Sequence, residues 1–295
     1  MKTERQAIVG MHGMHTDMSA ADYFADPCPE PSLTQSIAKV LLEKSPAHAW
    51  QRHPRLNPNY RSNNDKKFDI GNAAHALLLG RGKLLVVVDA EDWRGKPARE
   101  ARDRVINEGK VAILTEQYEH AWNMARIASD HLEDIGLPKL IEGNAEVVLA
   151  WREDDLWCRT MLDWLSPDRC VVLDLKTTAA SAAPMVLPAK LATDGWDIQA
   201  AMHARGLDVL NPENAGRRRH LFICQETVPP YALTVSELTE GVMTMGRKKL
   251  DMAVTIWRHC IRNDSWPGYP AEVLRPEYPP WAEAKWLARE VEEAA

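Results

Sequence analysis

The runs Ala145–Trp151 (AEVVLAW), Leu156–Leu165 (LWCRTMLDWL) and Cys170–Thr177 (CVVLDLKT) decide how this chain reads. All three are short and rich in β-branched and large apolar residues. Arg152-Glu153-Asp154-Asp155 and Ser166-Pro167-Asp168-Arg169 separate them, and both are turn-forming stretches. Strands joined by such short connections predict an antiparallel meander. The third run carries Asp174 between Leu173 and Leu175, with Lys176 two residues on. Residues i and i+2 of a strand share a face, so Asp174 and Lys176 point to the same side. A short turn brings Asp163, near the end of the preceding strand, close to Asp174. Two carboxylates and an ammonium at one end of a sheet suit a hard divalent cation, and oxygen donors favour Mg²⁺ or Mn²⁺. Taken alone, the same triplet is a strand-end salt bridge.

Outward from this centre, Ser32 or Thr34 caps a helix carrying Ile37, Val40, Leu41 and Leu42. Pro46 opens a second short helix through Trp50. Residues 53–67 read as a loop, and Phe68–Leu79 as a helix ended by Gly80. Residues 84–90 predict a buried strand, and Gln117–Ile135 a long helix stopped by Gly136 and Pro138. Beyond the meander, Thr193–Leu207 predicts a helix, and His220–Glu226 with Tyr231–Val235 a hairpin around Pro229-Pro230. Ser236 is the expected cap of a long helix to Ile261. The first fifteen residues are expected to fray, and 264–281 to form a wrapping tail.

The chain has 295 residues, 45% hydrophobic and 26% charged, which excludes a fibrous or largely disordered protein. Its net charge of −6 excludes an overall basic footprint for nucleic acid, though a local basic groove stays open. Arg217-Arg218-Arg219-His220 and Arg247-Lys248-Lys249 are its dense basic clusters, and Arg159 shares a strand face with Asp163. The longest strong apolar run, Leu84–Val88, falls far short of the ~18 residues of a membrane helix. Five cysteines, none in a C-x-x-C pair, indicate neither a disulfide framework nor a metal or iron–sulfur knuckle. A cytoplasmic protein with reduced thiols and no membrane partner is expected.

The array Asp163…Asp174-Leu175-Lys176-Thr177-Thr178 resembles the PD-(D/E)xK nuclease superfamily, in its RecB-like branch. Gly71-Asn72-Ala73-Ala74-His75 resembles the branch's upstream G-x-x-x-H helix, Ala145-Glu146-Val147 its glutamate-bearing strand, and Gln199 its downstream Q-x-x-x-Y motif. Ser-Pro-Ala-His at 45–48, His75–Leu79 and Ile198–Ala201 resemble the RecE (exonuclease VIII) type of nuclease domain. The likeness spans residues 30–225. In two places the chain departs from the pattern: His203 stands where the family has an aromatic residue, and Leu162 where proline usually precedes the aspartate.

The resemblance implies an α/β fold of restriction-endonuclease type, a mixed central sheet with antiparallel core strands flanked by helices. The expected layout is an arm (1–30), a nuclease-like domain (31–263) and a tail (264–295). It further implies a divalent-metal-dependent deoxyribonuclease, an exonuclease on double-stranded DNA ends that supplies single-stranded tails for recombination. Endonucleases, helicase-associated nucleases and catalytically silent DNA-binding modules are the alternatives. By resemblance, Asp163, Asp174, the Leu175 carbonyl and His75 hold Mg²⁺ or Mn²⁺. Glu146 binds a second metal or orients water, Lys176 positions the attacking water, and Gln199 reaches Lys176 or the scissile phosphate. A phage-type annealing protein and a ring-like homo-oligomer are the partners it implies.

Overall fold

The computed structural model describes residues 11–61, 70–82, 84–137 and 139–293. Its centre is a six-stranded mixed sheet in the order β1-β4-β5-β6-β7-β8. The strands are β1 (Gly13–His15), β4 (Asn144–Glu153), β5 (Leu156–Leu165), β6 (Val171–Thr178), β7 (Arg219–Glu226) and β8 (Leu233–Glu237). All neighbours are antiparallel except β6 and β7, which run parallel from Val171↔Arg219 to Thr178↔Glu226. The expected meander is β4-β5-β6, whose central residues are buried in succession, joined by two tight turns whose Asp154 and Arg169 adopt positive φ.

Helices cover both faces. One face carries α2 (Gln35–Glu43), α8 (Trp196–Leu210) and α9 (Glu240–Asn263). Ile37, Leu41, Ile198, Met202, Leu250 and Trp257 from them pack on Val147, Leu149, Trp151, Leu162 and Val172. The other face receives α4 (Ile70–Leu79) and α6 (Thr115–Asp134), through Leu78, Leu79 and Leu132 against Trp164, Leu173 and Leu175. The chain also forms α1 (Ala20–Phe24), α3 (Pro46–Arg52), α5 (Lys96–Asn107), α7 (Leu187–Asp194) and α10 (Pro280–Glu293). Thr34 caps α2 by accepting the Ile37 N–H, as its position predicts.

Several boundaries differ from the sequence reading, each for a local reason. The helix expected over Thr193–Leu207 is α8, which starts only at Trp196 because Gly195 turns the backbone to φ +77, and the Pro/Ala-rich stretch before it forms α7. Ser236 lies inside β8, and Thr239 caps α9 through its bond from Val242 N. The stretch 84–90 yields β2 (Leu85–Val88), whose residues are half-exposed rather than buried, since among the described residues it pairs with β3 (Val111–Leu114) alone. Together with α5 this forms a small β-α-β unit between α4 and α6, of which the sequence reading assigned the first strand and not α5 or β3. Residues 13–15 are not frayed: they pair with β4, and His12 Nδ1 accepts the Arg152 N–H. The tail is held at Trp266 and Pro267 and is then exposed to the last helix, rather than wrapping the domain. Residues 1–10 of the frayed segment, 62–67 of the loop, Phe68 and Pro138 lie outside the described residues.

Candidate metal-dependent nuclease site

The site forms where β5 and β6 part. Their ladder has two rungs, Trp164↔Leu173 and Leu165↔Val172, and stops there. Leu162 and Leu165 both join the core under α8, while Trp164 joins the opposite one, so strand alternation breaks at Asp163. Glu146, opposite on β4, has φ +52 and sits between the paired residues Ala145↔Trp164 and Val147↔Leu162. A non-glycine residue in that region is sparsely populated and costs about 1–3 kcal/mol, a cost met most often at functional sites. The break turns Asp163 into the gap, where its Oδ2 accepts the Leu175 N–H at 2.8 Å. Alternate residues of β6 face β7, beginning with Cys170, whose carbonyl accepts the Arg219 N–H. Leu175 therefore turns its own carbonyl toward the β5 side.

From α4, His75 Nε2 lies 3.3 Å from Asp163 Oδ1. Burial disfavours the imidazolium, but Asp163, Glu146 and Asp174 outweigh it and raise the His75 pKa. From β6, Asp174 points to the α8 side and is almost fully buried. Its Oδ1 accepts from Gln199 Nε2 at 2.7 Å and from Lys176 Nζ at 3.5 Å. Its Oδ2 lies 3.3 Å from His203 Nδ1. Burial would raise the Asp174 pKa, but Lys176 and His203 overcome it and hold the carboxyl well below the usual range. His220, on the adjoining strand, is pushed down to about 3 by burial and then by His203, so it is neutral.

The structure brings Asp163 to His75, and Asp174 to Lys176 and Gln199. The resemblance implied that Gln199 reaches Lys176 or a phosphate, and the amide instead donates to the Asp174 carboxylate. Sequence reasoning did not assign His203 or His220. The signal for His203 was its place four residues after Gln199, one helical turn along the same face. Beside Lys176 opens a cavity of about 410 Å³, lined also by Thr177, Thr178, Lys190, Asp194 and Gln199. Lys190 Nζ donates to Thr178 Oγ1 at 3.0 Å across it.

The donor chemistry of Asp163, Asp174, Glu146, His75 and the Leu175 carbonyl fits a hard divalent cation. The 3.3 Å between His75 Nε2 and Asp163 Oδ1 also suits two neighbouring ligands of an octahedral ion, which at ~2.1 Å bonds stand ~3 Å apart. Among the described residues, however, no three His, Cys, Asp or Glu side chains form a metal-holding group. The cause is the layering: His75 approaches from one face, Asp163 sits in the gap, and Asp174 turns to Lys176, Gln199 and His203 on the other.

A family profile described as a PDDEXK-like domain of unknown function (DUF3799) matches residues 35–275. The chain belongs to that family. No curated protein matches the sequence significantly. Among solved structures, a provisionally named exonuclease from Eubacterium rectale superposes with a TM-score of 0.50 at 11% identity, covering 84% of this chain and 91% of that one. A phage-related exonuclease from Haemophilus somnus 129PT gives a TM-score of 0.31 at 11% identity, covering 67% and 100%. The mixed sheet flanked by helices is thus the fold of a PDDEXK-like domain, and family and fold together support a nuclease of a generally divalent-metal-dependent class.

Other charged candidates take structural places. Arg159 does not reach the surface; it is buried against Asp26 (2.9 Å) and the Tyr23 and Ser32 carbonyls. In the basic clusters, Arg218 pairs with Asp208, Arg219 with Glu237, Arg247 with Glu240 and Lys249 with Asp197. The five cysteines are free thiols. No described helix is long and apolar enough to cross a membrane.

Proposed function

We propose that the protein is a divalent-metal-dependent deoxyribonuclease acting on double-stranded DNA ends, leaving single-stranded tails for recombination, with Mg²⁺ or Mn²⁺ as its ion. The observation that carries this reading is that Asp163, paired with His75, accepts the N–H of Leu175, the residue between Asp174 and Lys176, where β5 and β6 part. The ion would be held by Asp163, Asp174, His75 and the Leu175 carbonyl, with Glu146 beside them. When bound, it supplies Lewis acidity toward a phosphodiester oxygen and toward water. Gln199 and His203 fix the Asp174 carboxylate, so the charge it offers is preorganised. Lys176 lies between Asp174 and the cavity, where an ammonium can orient water or offset the charge that develops on the phosphoryl oxygens. Lys190 and the two threonine side chains give the same cavity further donors for a phosphodiester strand. A single-strand annealing protein is a fitting partner for the product.

The test is a time course with Mg²⁺ on linear duplex labelled at one strand end, run beside a covalently closed circle. Loss of the linear substrate from its ends, with the circle intact, is expected. Cutting of the circle would replace the exonuclease reading with an endonuclease. Asp174→Ala and Lys176→Ala should each lower cleavage by more than a hundredfold, on the order of a lost electrostatic donor. Full activity in either would overturn the site.

A further inference from the structure

The cavity beside Lys176 extends the candidate site along β6. Asp174, Lys176 and Thr178 occupy alternate positions of that strand, so they share one face. Two residues of a strand span roughly 6.6 Å. Consecutive phosphates of a nucleic-acid strand stand about as far apart. A strand that meets Lys176 with one phosphate therefore brings its next phosphate to the level of Thr178.

The groups at that level are donors. Thr178 Oγ1 accepts from Lys190 Nζ at 3.0 Å and from the Ala180 N–H at 3.1 Å. Both lone pairs of the hydroxyl are thus engaged, and its own proton remains to be given. Lys190 reaches the cavity from α7, and its bond to a neutral hydroxyl leaves the ammonium two further protons to donate. Among the described residues Lys190 forms no ion pair, whereas Lys176 is paired with Asp174 at 3.5 Å. Asp194, one helical turn beyond Lys190, lines the same cavity from an exposed position and does not pair with it. An uncompensated ammonium beside a hydroxyl that can only donate selects an anion with several acceptor oxygens.

We propose that Lys190 and Thr178 form a second phosphate subsite, which binds the phosphate next to the scissile one on the same strand. This inference rests on the nuclease reading and deepens it: the substrate becomes a strand of at least two consecutive phosphates, not an isolated phosphodiester. Lys190 is the specificity-determining residue of the subsite.

The test uses the full chain with Mg²⁺ and a set of short duplexes, each made neutral at a single phosphate by a methylphosphonate, the terminal phosphate included. First-cleavage rates are compared between wild type and Lys190→Gln, whose amide can still donate to Thr178 but carries no charge. In the wild type, neutralising one neighbour of the cut linkage should slow cleavage about tenfold, as loss of a charged hydrogen bond does. In Lys190→Gln the unmodified duplex should be slowed to the same degree, and the neighbouring methylphosphonate should add nothing. Binding of the duplex without divalent ions gives a second reading that needs no cleavage. There the slope of log K against log salt should become shallower by about 0.9 in the variant. A wild type indifferent to both neighbouring positions would overturn the subsite, as would a Lys190→Gln protein that keeps the full response or the full slope. Cleavage of the unmodified duplex in those cases would leave the nuclease reading standing. A wild type that cuts no DNA would instead remove the nuclease reading, and the subsite with it.

Discussion

Asp174 shows how a single residue joins folding to chemistry. Two aspartates on adjoining strands suggest mutual repulsion, but the structure supplies Asp174 with Lys176, Gln199 and His203. Asp174→Ala should therefore cost stability as well as activity, on the order of 3 kcal/mol, because it removes a buried charge that Lys176 and His203 face and the acceptor of the Gln199 amide. Urea denaturation measures this, and an unchanged midpoint would mean that these contacts contribute nothing net. His220 gives a prediction in pH. Its folded pKa is pushed down to about 3, below the unfolded value of about 6.5. The unfolded chain thus binds the extra proton, and the contribution of His220 is complete above ~6.5 and lost as pH falls toward ~3. His220→Leu should flatten the stability–pH curve in that window, since His220 Nδ1 has no hydrogen-bond partner to lose. Asp174 and Lys176 were legible because strand periodicity puts them on one face, whereas the short turn predicted Asp163 beside Asp174 and the structure turns the two carboxylates to different sides. The positive φ of Glu146 and the break at Asp163 were not legible, because no glycine marks them.

Between elements, the crossing of α8 and α9 sets where Gln199 and His203 sit. A Cβ on Gly246 would stand 2.2 Å from the Asp197 carbonyl oxygen and 3.2 Å from Ala201 Cβ. The helices approach this closely because Gly246 presents only a hydrogen, and Lys249 Nζ clamps the crossing by donating to Asp197 Oδ2 at 2.5 Å. Gly246→Ala must push α8 aside, costing about 3 kcal/mol and moving Gln199 away from Asp174. The expected result is a lower urea midpoint together with a loss of cleavage greater than the fraction unfolded. Cleavage that simply tracks the folded fraction would show that α8 does not convey the shift. Apolar periodicity revealed α9, yet it could not show where α9 touches α8, because Gly246 leaves no mark on the hydrophobic pattern. The start of α8 shows another limit, since Thr193 and Asp194 suit an N-cap but Gly195 turns the backbone to φ +77 and α8 begins at Trp196.

Across the whole molecule, stability is concentrated in the domain and in short attachments at its two ends. On the N-terminal side, Asp26 accepts from Ser32 and pairs with Arg159 and His53, fastening residues 19–34 to the sheet. On the C-terminal side, the attachment is Trp266, whose ring lies 5.2 Å from that of Trp257, and the Pro267 carbonyl, which accepts the Ala47 N–H. Beyond them the chain is exposed, and α10 buries none of its described residues, with Trp281 74% and Trp286 56% exposed. Two truncations should consequently behave differently. Ending the chain after Pro279 removes α10 alone and should change unfolding free energy by less than about 0.5 kcal/mol, the range of a surface change. Ending it after Asp264 also removes the half-buried Trp266 from its place against Trp257, which should cost about 2 kcal/mol, the scale of burying a large apolar side chain. Urea denaturation of the two shortened chains beside the full one makes the comparison. If removal of α10 alone were as costly as the longer deletion, the helix would have to pack on the domain or on a second copy in solution. If both deletions were neutral, the domain would be stable without its C-terminal attachment.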